Sequence, residues 1–150
     1  MKAALLIGGL AVLALADFNF DDDFFGSFND IRGCDNVVGG LRNIVTGYNN
    51  DVDGTSNKVI GKKNFVTGEV NKVAGKNNKA TGKSNVVLGD DNLARGERNF
   101  LKGNRNKASG TNNVLFGVDN SVFGSRNYAS GRDNRVKGNL NQATGISNSV

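Results

Sequence analysis

The sequence predicts an all-β fold, a parallel β-solenoid, and three regularities carry this prediction. Glycine recurs every seven residues from Gly26 to Gly145, eighteen times in succession. Asparagine follows three residues after each of these glycines, and an aliphatic residue follows two residues after each asparagine. The rule G-x-x-N-x-[VAIL]-x therefore holds without exception, and an unbroken short period of this kind indicates a repeat architecture.

The N-terminal residues precede the repeats and are interpreted separately. Residues 1–16 contain one lysine (Lys2), an apolar run from Ala3 to Ala16 and, at the end of that run, a small-x-small cleavage motif. This pattern predicts a secretory signal peptide. The run is shorter than the roughly 20 residues of a spanning helix, so we expect a secreted protein with no membrane span in the mature chain. Residues 17–25 are rich in Phe and Asp. We expect them to form a cap whose rings cover the first coil, with a partner-binding tail as the alternative.

Residues 26–150 are expected to form the heptad-repeat β-roll. A seven-residue period also occurs in coiled coils, but a helix would carry eighteen interior glycines at roughly 1 kcal/mol each. It would also offer one apolar position per heptad where a coiled-coil seam needs two. Disorder is excluded because a disordered tract does not need an aliphatic residue at a fixed phase.

Side-chain alternation along an extended strand predicts which repeat positions face the interior. Asn, the aliphatic residue and Gly share one parity, so we expect them to point inward. The second and third positions are mostly polar, as in Lys62 and Lys63, and suit exposed corners. Two heptads then close one two-sided coil of 14 residues, and the 18 heptads give about nine coils.

The inward asparagines are interpreted as structure, because each amide can bond the asparagine one coil away and the corner backbone. The expected ladder comprises Asn43, Asn50, Asn57, Asn64, Asn71, Asn78, Asn85, Asn92, Asn99, Asn106, Asn113, Asn120, Asn127 and Asn134.

Composition argues against catalysis. The chain has no histidine and one cysteine, so the commonest general base and a cysteine-rich metal site are both missing. We expect no enzyme activity, no metal and no cofactor. Cys34 is interpreted either as a small residue tolerated in a turn or as a thiol that pairs between chains.

The net charge of +5 is a mild bias. Its basic side chains are interpreted as solubility charges, with an acidic cell-surface polymer as the alternative partner and no nucleic acid. The cations concerned include Lys62, Lys63, Lys76, Lys83, Arg105, Arg126 and Arg132.

The repeat x-x-N-x-V-x-G resembles that of the ice-recrystallisation-inhibition proteins of grasses. Residues 40–46, with the sequence GLRNIVT, match its frame position for position, and the resemblance covers residues 26–150. It implies a left-handed β-roll with paired asparagine ladders and a flat ice-binding face. The left hand is implied by the resemblance alone, since parallel crossovers are usually right-handed.

Function then depends on the outward residues, and alternate heptads lie on the same face. One face is richer in apolar side chains, although Lys58, Lys72 and Lys102 interrupt it. Its candidate ice-binding residues are Ile44, Thr46, Ile60, Ala74, Val86, Leu88, Phe100, Val114, Phe116 and Tyr128.

We therefore predict ice binding and inhibition of recrystallisation through this face, with the ice surface as partner. The alternative is an extracellular structural or adhesive β-solenoid rod. Such a rod would assemble with copies of itself, or bind a partner, through the same apolar face.

Overall fold

The computed structural model describes residues 23–150, in which all regular secondary structure is β. The expected signal peptide, residues 1–16, and most of the expected cap, residues 17–25, lie outside the described residues. Each heptad supplies one five-residue strand. The strands are β1 Asp23–Ser27, β2 Asp30–Cys34, β3 Val37–Leu41, β4 Ile44–Tyr48, β5 Asp51–Thr55, β6 Lys58–Lys62, β7 Phe65–Glu69, β8 Lys72–Lys76, β9 Lys79–Lys83, β10 Val86–Asp90, β11 Leu93–Glu97, β12 Phe100–Asn104, β13 Lys107–Thr111, β14 Val114–Val118, β15 Ser121–Ser125, β16 Tyr128–Arg132, β17 Arg135–Asn139 and β18 Gln142–Ile146.

Successive strands alternate between two parallel nine-stranded sheets. The odd-numbered strands form one sheet and the even-numbered strands the other, hereafter the odd sheet and the even sheet. Each residue pairs with the residue 14 positions later, as Val45 does with Val59. The predicted two-sided parallel solenoid of about nine 14-residue coils is therefore confirmed.

The core lies between the two sheets and is one residue wide on each. The second residue of each strand from β2 onward is the repeat aliphatic residue, and from Val38 to Ala143 these residues form a single buried cluster. Side-chain volumes compensate across a coil, because Leu101 on β12 shares its coil with Ala108 on β13. A core this narrow leaves much of the cohesion to hydrogen bonds between coils.

The turns between strands also bond from coil to coil. The third residue of every heptad is left-handed, with φ between 54° and 61°. Its N–H donates to the neighbouring coil, as Arg42 N does to the Ser27 carbonyl oxygen at 3.1 Å. Asp30 N donates in the opposite axial direction, to the Asn43 carbonyl oxygen at 2.8 Å. These corner bonds extend the strand ladders around each coil.

The repeat glycines face the neighbouring coil rather than the interior, which differs from the expected inward orientation. A Cβ added to Gly89 would lie 2.1 Å from the carbonyl oxygen of Gly103, the equivalent glycine of the next coil. Its φ of +116° is also one that side-chain-bearing residues rarely adopt. Glycine is required because the coils approach closely at this position.

The first strand begins inside the segment expected to be a cap. β1 starts at Asp23 and pairs with β3, so the roll extends three residues beyond the expected boundary at Gly26. The rings of Phe25, in that segment, and of Phe28, just after it, are 72% and 66% exposed. The heptad phase explains this, because Phe25 occupies an outward strand position and Phe28 the left-handed turn position.

Cys34 is a buried free thiol at the end of β2, next in register to Tyr48. No helix within residues 23–150 is long and apolar enough to cross a membrane.

Candidate functional site

Two buried asparagine ladders hold the coils together, and each ladder lies immediately before the strands of one sheet. Asn85 shows the pattern: its Nδ2 donates to Asn71 Oδ1 at 3.1 Å and to the Gly96 carbonyl oxygen at 2.9 Å. Its Oδ1 accepts the Asn99 backbone N–H at 3.1 Å and Asn99 Nδ2 at 3.0 Å. All fourteen expected ladder asparagines are buried, and their amide atoms are used within the protein. The ladders therefore form a scaffold and present no polar group to a ligand.

The glycine and asparagine of a heptad act together in this scaffold. The Asn85 amide donates to the carbonyl oxygen of Gly96, and a Cβ on Gly82, three residues before Asn85, would lie 2.1 Å from that oxygen. The missing side chain thus leaves room for the acceptor that the asparagine needs. This relation explains why the G-x-x-N spacing is invariant.

The ten candidate ice-binding residues all lie on the outer face of the even sheet. They occupy the first or third position of seven consecutive strands of that sheet, β4 to β16. Their side chains alternate with the buried aliphatic residues and so point outward. At about 4.8 Å per strand, the six intervals from β4 to β16 span ~29 Å along the axis.

The register arranges these residues in two ranks that run along the rod. One rank contains Thr46, Ile60, Ala74 and Leu88 on four neighbouring strands. The other contains Val86, Phe100, Val114 and Tyr128, again on four neighbours. The ranks meet on β10, where Val86 and Leu88 are two residues apart. With Ile44 and Phe116 they form a continuous surface without charge, which we call the uncharged strip.

Three lysines border the uncharged strip rather than divide it. Lys58 and Lys72 occupy the first position of their strands, beside Ile60 and Ala74 at the third position. Lys102 occupies the third position of β12, beside Phe100 at the first position. All three lysines are exposed. Up to β10 the strip follows the third strand position, and after β10 it follows the first position. The lysines therefore lie on one side of the strip before β10 and on the other side after it. The sequence alone identified these lysines as interruptions because it did not show this path.

The two ends of the strip differ in relief. From β4 to β8 it carries Ile44, Thr46, Ile60 and Ala74, which are small or aliphatic. From β12 to β16 three rings pack on one another: Phe100 and Phe116 have centroids 5.5 Å apart, and Phe116 and Tyr128 6.0 Å apart. The rings are mutually tilted by 48° and 52°, so this part is uneven.

The uncharged surface continues beyond the residues that the sequence singled out. Ser130 and Thr144 extend one rank and Gln142 extends the other, on β16 and β18. Alternation of heptads already places them on this face in the sequence, and the register puts them directly after Phe116 and Tyr128. They are absent from the candidate residues because the sequence-based face was taken to run from Ile44 to Tyr128.

The odd sheet offers no comparable surface among its described strands. Its outer face carries Asp51 and Asp53 on β5, and cations on β9, β11, β13 and β17. Thr67 and Thr81 are neighbours in register, but Asp53 precedes them and Arg95 follows them. The two faces of the roll are therefore chemically distinct.

The ion pairs of the described residues lie outside the strip: Asp30 and Arg32 pair on the outer face of β2, and the others lie at the corners of the roll. Arg105 Nε donates to Asp119 Oδ1 and Arg105 Nη2 to Asp119 Oδ2, each at 2.7 Å. This bidentate hydrogen bonding lowers the pKa of Asp119 and raises the pKa of Arg105. Lys83 Nζ lies 3.0 Å from Glu69 Oε2, and that hydrogen bond raises the pKa of Lys83. Neighbouring coils are thus also linked at their surface.

The family model described as grass antifreeze beta roll matches residues 19–82 and again residues 77–150. These two matches together span residues 19–150, nearly the whole chain. The chain belongs to the grass antifreeze beta roll family. The family match confirms the resemblance that the heptads predicted.

Family membership accounts for the architecture of this antifreeze beta roll. The two family matches overlap and divide the repeats between them, as expected for an array of near-identical coils. A search of curated protein sequences finds no match to the chain. The family is named for an antifreeze activity rather than for a reaction. Residues 23–150 contain no group of three or more His, Cys, Asp or Glu that could hold a metal ion.

Proposed function

We propose that this antifreeze beta roll binds ice through the uncharged strip and thereby inhibits ice recrystallisation. Family membership supports ice as the partner. The observation that supports this face is the continuity of the strip, from Ile44 to Tyr128 on seven neighbouring strands.

A face that binds ice must be rigid, because water orders over it only if its groups stay in place. The even sheet meets this condition through strand ladders, corner bonds and a buried asparagine at every turn. Its strands repeat at about 4.8 Å, so each rank presents groups at a regular axial interval. The hydrogen bonds that occupy the asparagine side chains thus also keep the outer face of the even sheet rigid.

The chemistry of the strip favours ordered water over bulk hydration. Methyl groups of Ile60 and Ala74 exclude water from their own volume, and the Thr46 hydroxyl can take a place in a water network. An ammonium group instead holds a hydration shell of its own. Lys58 and Lys72 lie beside this rank rather than within it, so they do not interrupt the repeat of methyl and hydroxyl groups along it.

Inhibition of recrystallisation follows from adsorption to crystal boundaries. Ice that grows between adsorbed molecules must bulge outward, and a curved front is less stable than a flat one. Small crystals then stop feeding large ones. The uneven aromatic end of the strip is compatible with this activity, because slow boundary movement requires coverage rather than a perfect lattice match.

We further propose that the protein acts outside the cell, which rests on the signal-peptide pattern of residues 1–16. Extracellular water freezes first, so an ice-binding surface has its substrate there.

The test compares one lysine on each face of the same coil. Ile60→Lys places a charge in the uncharged strip, and Thr67→Lys places the same charge at the same heptad position on the odd sheet. In a recrystallisation assay of frozen solutions, wild type and Thr67→Lys should keep crystals small, while Ile60→Lys should need at least ten times more protein. Equal activity of the two variants would refute the assignment of the face. Circular dichroism of both variants checks that the fold is retained.

A second function, an extracellular rod that assembles through its apolar face, is favoured by the aromatic cluster. Phe100, Phe116 and Tyr128 shield one another only in part, and apolar clusters of this kind often mark protein contacts. Light scattering over a range of protein concentrations separates the two functions. Growth of assemblies that Phe116→Ser abolishes, together with no effect on ice, would favour the rod.

A further inference from the structure

Cations on the odd sheet are concentrated toward its C-terminal end. They are Arg95 and Lys107 on β11 and β13, Arg135 and Lys137 on β17, and Arg98 and Arg126 in the turns after β11 and β15. We call these six residues the basic patch. The described strands β11, β13, β15 and β17 and the turns that follow them contain one carboxylate, Glu97. Asp91, Asp119 and Asp133 lie at the other corner, in the turns before β11, β15 and β17. The same sheet carries Asp51 and Asp53 on β5, so it is polarised from acidic to basic along the rod.

This separation differs from the charge pattern at the corner after the even strands. There both signs occur together: Arg105 bonds Asp119, and Lys76 is next in register to Asp90. Mixed charges of that kind maintain solubility, whereas a field of one sign attracts ions of the other. Solubility therefore accounts for the even-strand corner and leaves the basic patch unexplained.

Most cations of the basic patch make no salt bridge within residues 23–150. The exception is Arg98, whose Nη2 lies 3.8 Å from Glu97 Oε2. By contrast, the cations on the preceding strand are engaged: Lys83 pairs with Glu69, and Lys79 Nζ lies 4.6 Å from the centre of the Phe65 ring. The basic patch begins where these internal partners end.

Two pairs of these cations have the same spacing along the axis, whereas Arg95 and Lys137 are three strands apart. Lys107 and Arg135 share one rank with Ser121 between them, so they are two strands apart. Arg98 and Arg126 occupy equivalent turns two coils apart. At about 4.8 Å per coil, both pairs repeat at ~9.6 Å. A linear polyanion lying along the rod would meet a cation at each of these intervals.

The neutral surroundings of the arginines favour a carboxylated sugar polymer over a nucleic acid. Arg98 and Arg126 line a groove of about 540 Å³, together with Thr111, Asn112, Ser125 and Asn139. Hydroxyl and amide side chains both donate and accept hydrogen bonds, as sugar hydroxyls require, whereas a phosphodiester only accepts. Arginine binds a carboxylate with two parallel hydrogen bonds as well as it binds a phosphate, so the choice between the two rests on the neutral side chains around it. The exposed ring of Phe123, on the same face, offers a flat apolar surface to a sugar ring.

We propose that the basic patch binds a linear polyuronate, a polysaccharide with regularly spaced carboxylates, along the rod axis. The patch lies on the odd sheet, opposite the uncharged strip. A roll held on such a polymer by the patch would present its other face outward. This proposal does not depend on the proposed ice-binding function.

The test measures binding of polygalacturonate to the full chain by isothermal titration calorimetry. The patch variant carries Lys107→Gln, Arg126→Gln and Arg135→Gln. A control variant carries Lys58→Gln, Lys72→Gln and Lys102→Gln, which removes the same charge from the even sheet. Dextran is the neutral polymer, and a single-stranded oligonucleotide is the alternative polyanion.

We expect wild type to bind polygalacturonate but not dextran, with affinity falling as salt rises. The patch variant should lose at least tenfold in affinity, and the control variant less than twofold. Equal losses in the two variants would show an effect of net charge alone and would overturn the proposal. No binding by wild type, binding of dextran, or tighter binding of the oligonucleotide than of polygalacturonate would overturn it as well.

Discussion

Replacing Asn85 by alanine tests the asparagine ladder at the middle of the rod. In the native structure the Asn85 Oδ1 accepts the backbone N–H of Asn99 at 3.1 Å, in a fully buried position. The Asn85 Nδ2 also donates to the partly buried carbonyl oxygen of Gly96 at 2.9 Å. Alanine removes both partners at once. Asn71 Oδ1 is affected less, because it still accepts the backbone N–H of residue 85.

The expected cost follows from these orphaned groups. A buried polar group left without a partner costs about 1–3 kcal/mol, and two such groups, one of them only partly buried, give about 2–5 kcal/mol. That is a large fraction of the ~5–15 kcal/mol that stabilises a typical domain. Asn104→Ala on β12 is the matched control. The Asn104 side chain is exposed and its Oδ1 accepts the Asp90 N–H at 3.3 Å, where water can replace it, so this variant should change stability by less than about 0.5 kcal/mol.

Urea denaturation followed by circular dichroism measures the difference in free energy of unfolding. Hydrogen exchange then shows where the stability is lost. The backbone N–H of Asn99 should lose protection, while the backbone N–H of Asn106 keeps its bond to Asn92 Oδ1 in the other ladder. If Asn85→Ala cost no more than Asn104→Ala, or if the Asn99 amide stayed protected, the ladder would not hold the coils as described.

Three further substitutions test the turn, the glycine and the corner ion pair. Val70→Asn should stabilise the fold by about 1 kcal/mol, because a β-branched residue is strained at φ +56° and asparagine tolerates it; an unchanged urea midpoint would contradict this. Gly89→Ala should destabilise more than Gly145→Ala, since both glycines have φ +116° but only a Cβ on Gly89 would meet a carbonyl oxygen, at 2.1 Å; equal melting temperatures would refute the steric argument. Asp119→Asn should flatten the loss of stability below about pH 4, because Arg105 lowers the pKa of Asp119 and the stabilisation disappears as pH falls through that lowered value. The effect should be small, since the pair is largely exposed. If the urea midpoints of wild type and of Asp119→Asn fell equally steeply below about pH 4, the pair would contribute nothing to stability.

The fold could be predicted almost completely from the sequence because every heptad repeats the same solution. Parity along a strand placed Val45 and Asn43 inside, and the 14-residue coil fixed the register. The role of the glycines was only partly accessible. Parity placed Gly89 inward, whereas its positive φ turns the missing side chain toward Gly103 in the next coil.

The left-handed third position was also missed, although a sequence signal existed. Asn and Asp are frequent there, as at Asn49 and Asp91, and these residues tolerate positive φ. The pattern of polar corners concealed it, because Lys63 and Ser56 occupy the same position for reasons of exposure.

The candidate site could be predicted as a face but not as a path. Alternation of heptads put Ile60 and Val86 on one sheet, and the structure agrees on their placement. The continuity of the uncharged strip depends on which rank each lysine occupies, and therefore on the pairing of Lys58 with Lys72 and of Leu88 with Lys102. Segregation of the basic patch on the odd sheet likewise appears only when the coils are stacked.

Ice-affinity partitioning of two triple variants tests the proposed ice-binding face most directly. One variant carries Ile60→Lys, Val86→Lys and Val114→Lys on the even sheet. The other carries Thr67→Lys, Leu93→Lys and Ser121→Lys at the equivalent positions of the odd sheet, each in the same coil as its counterpart. We predict that wild type and the odd-sheet variant enter slowly growing ice while the even-sheet variant stays in the liquid. Entry of the even-sheet variant to the same extent as wild type, or exclusion of wild type, would contradict the assignment of ice binding to the uncharged strip.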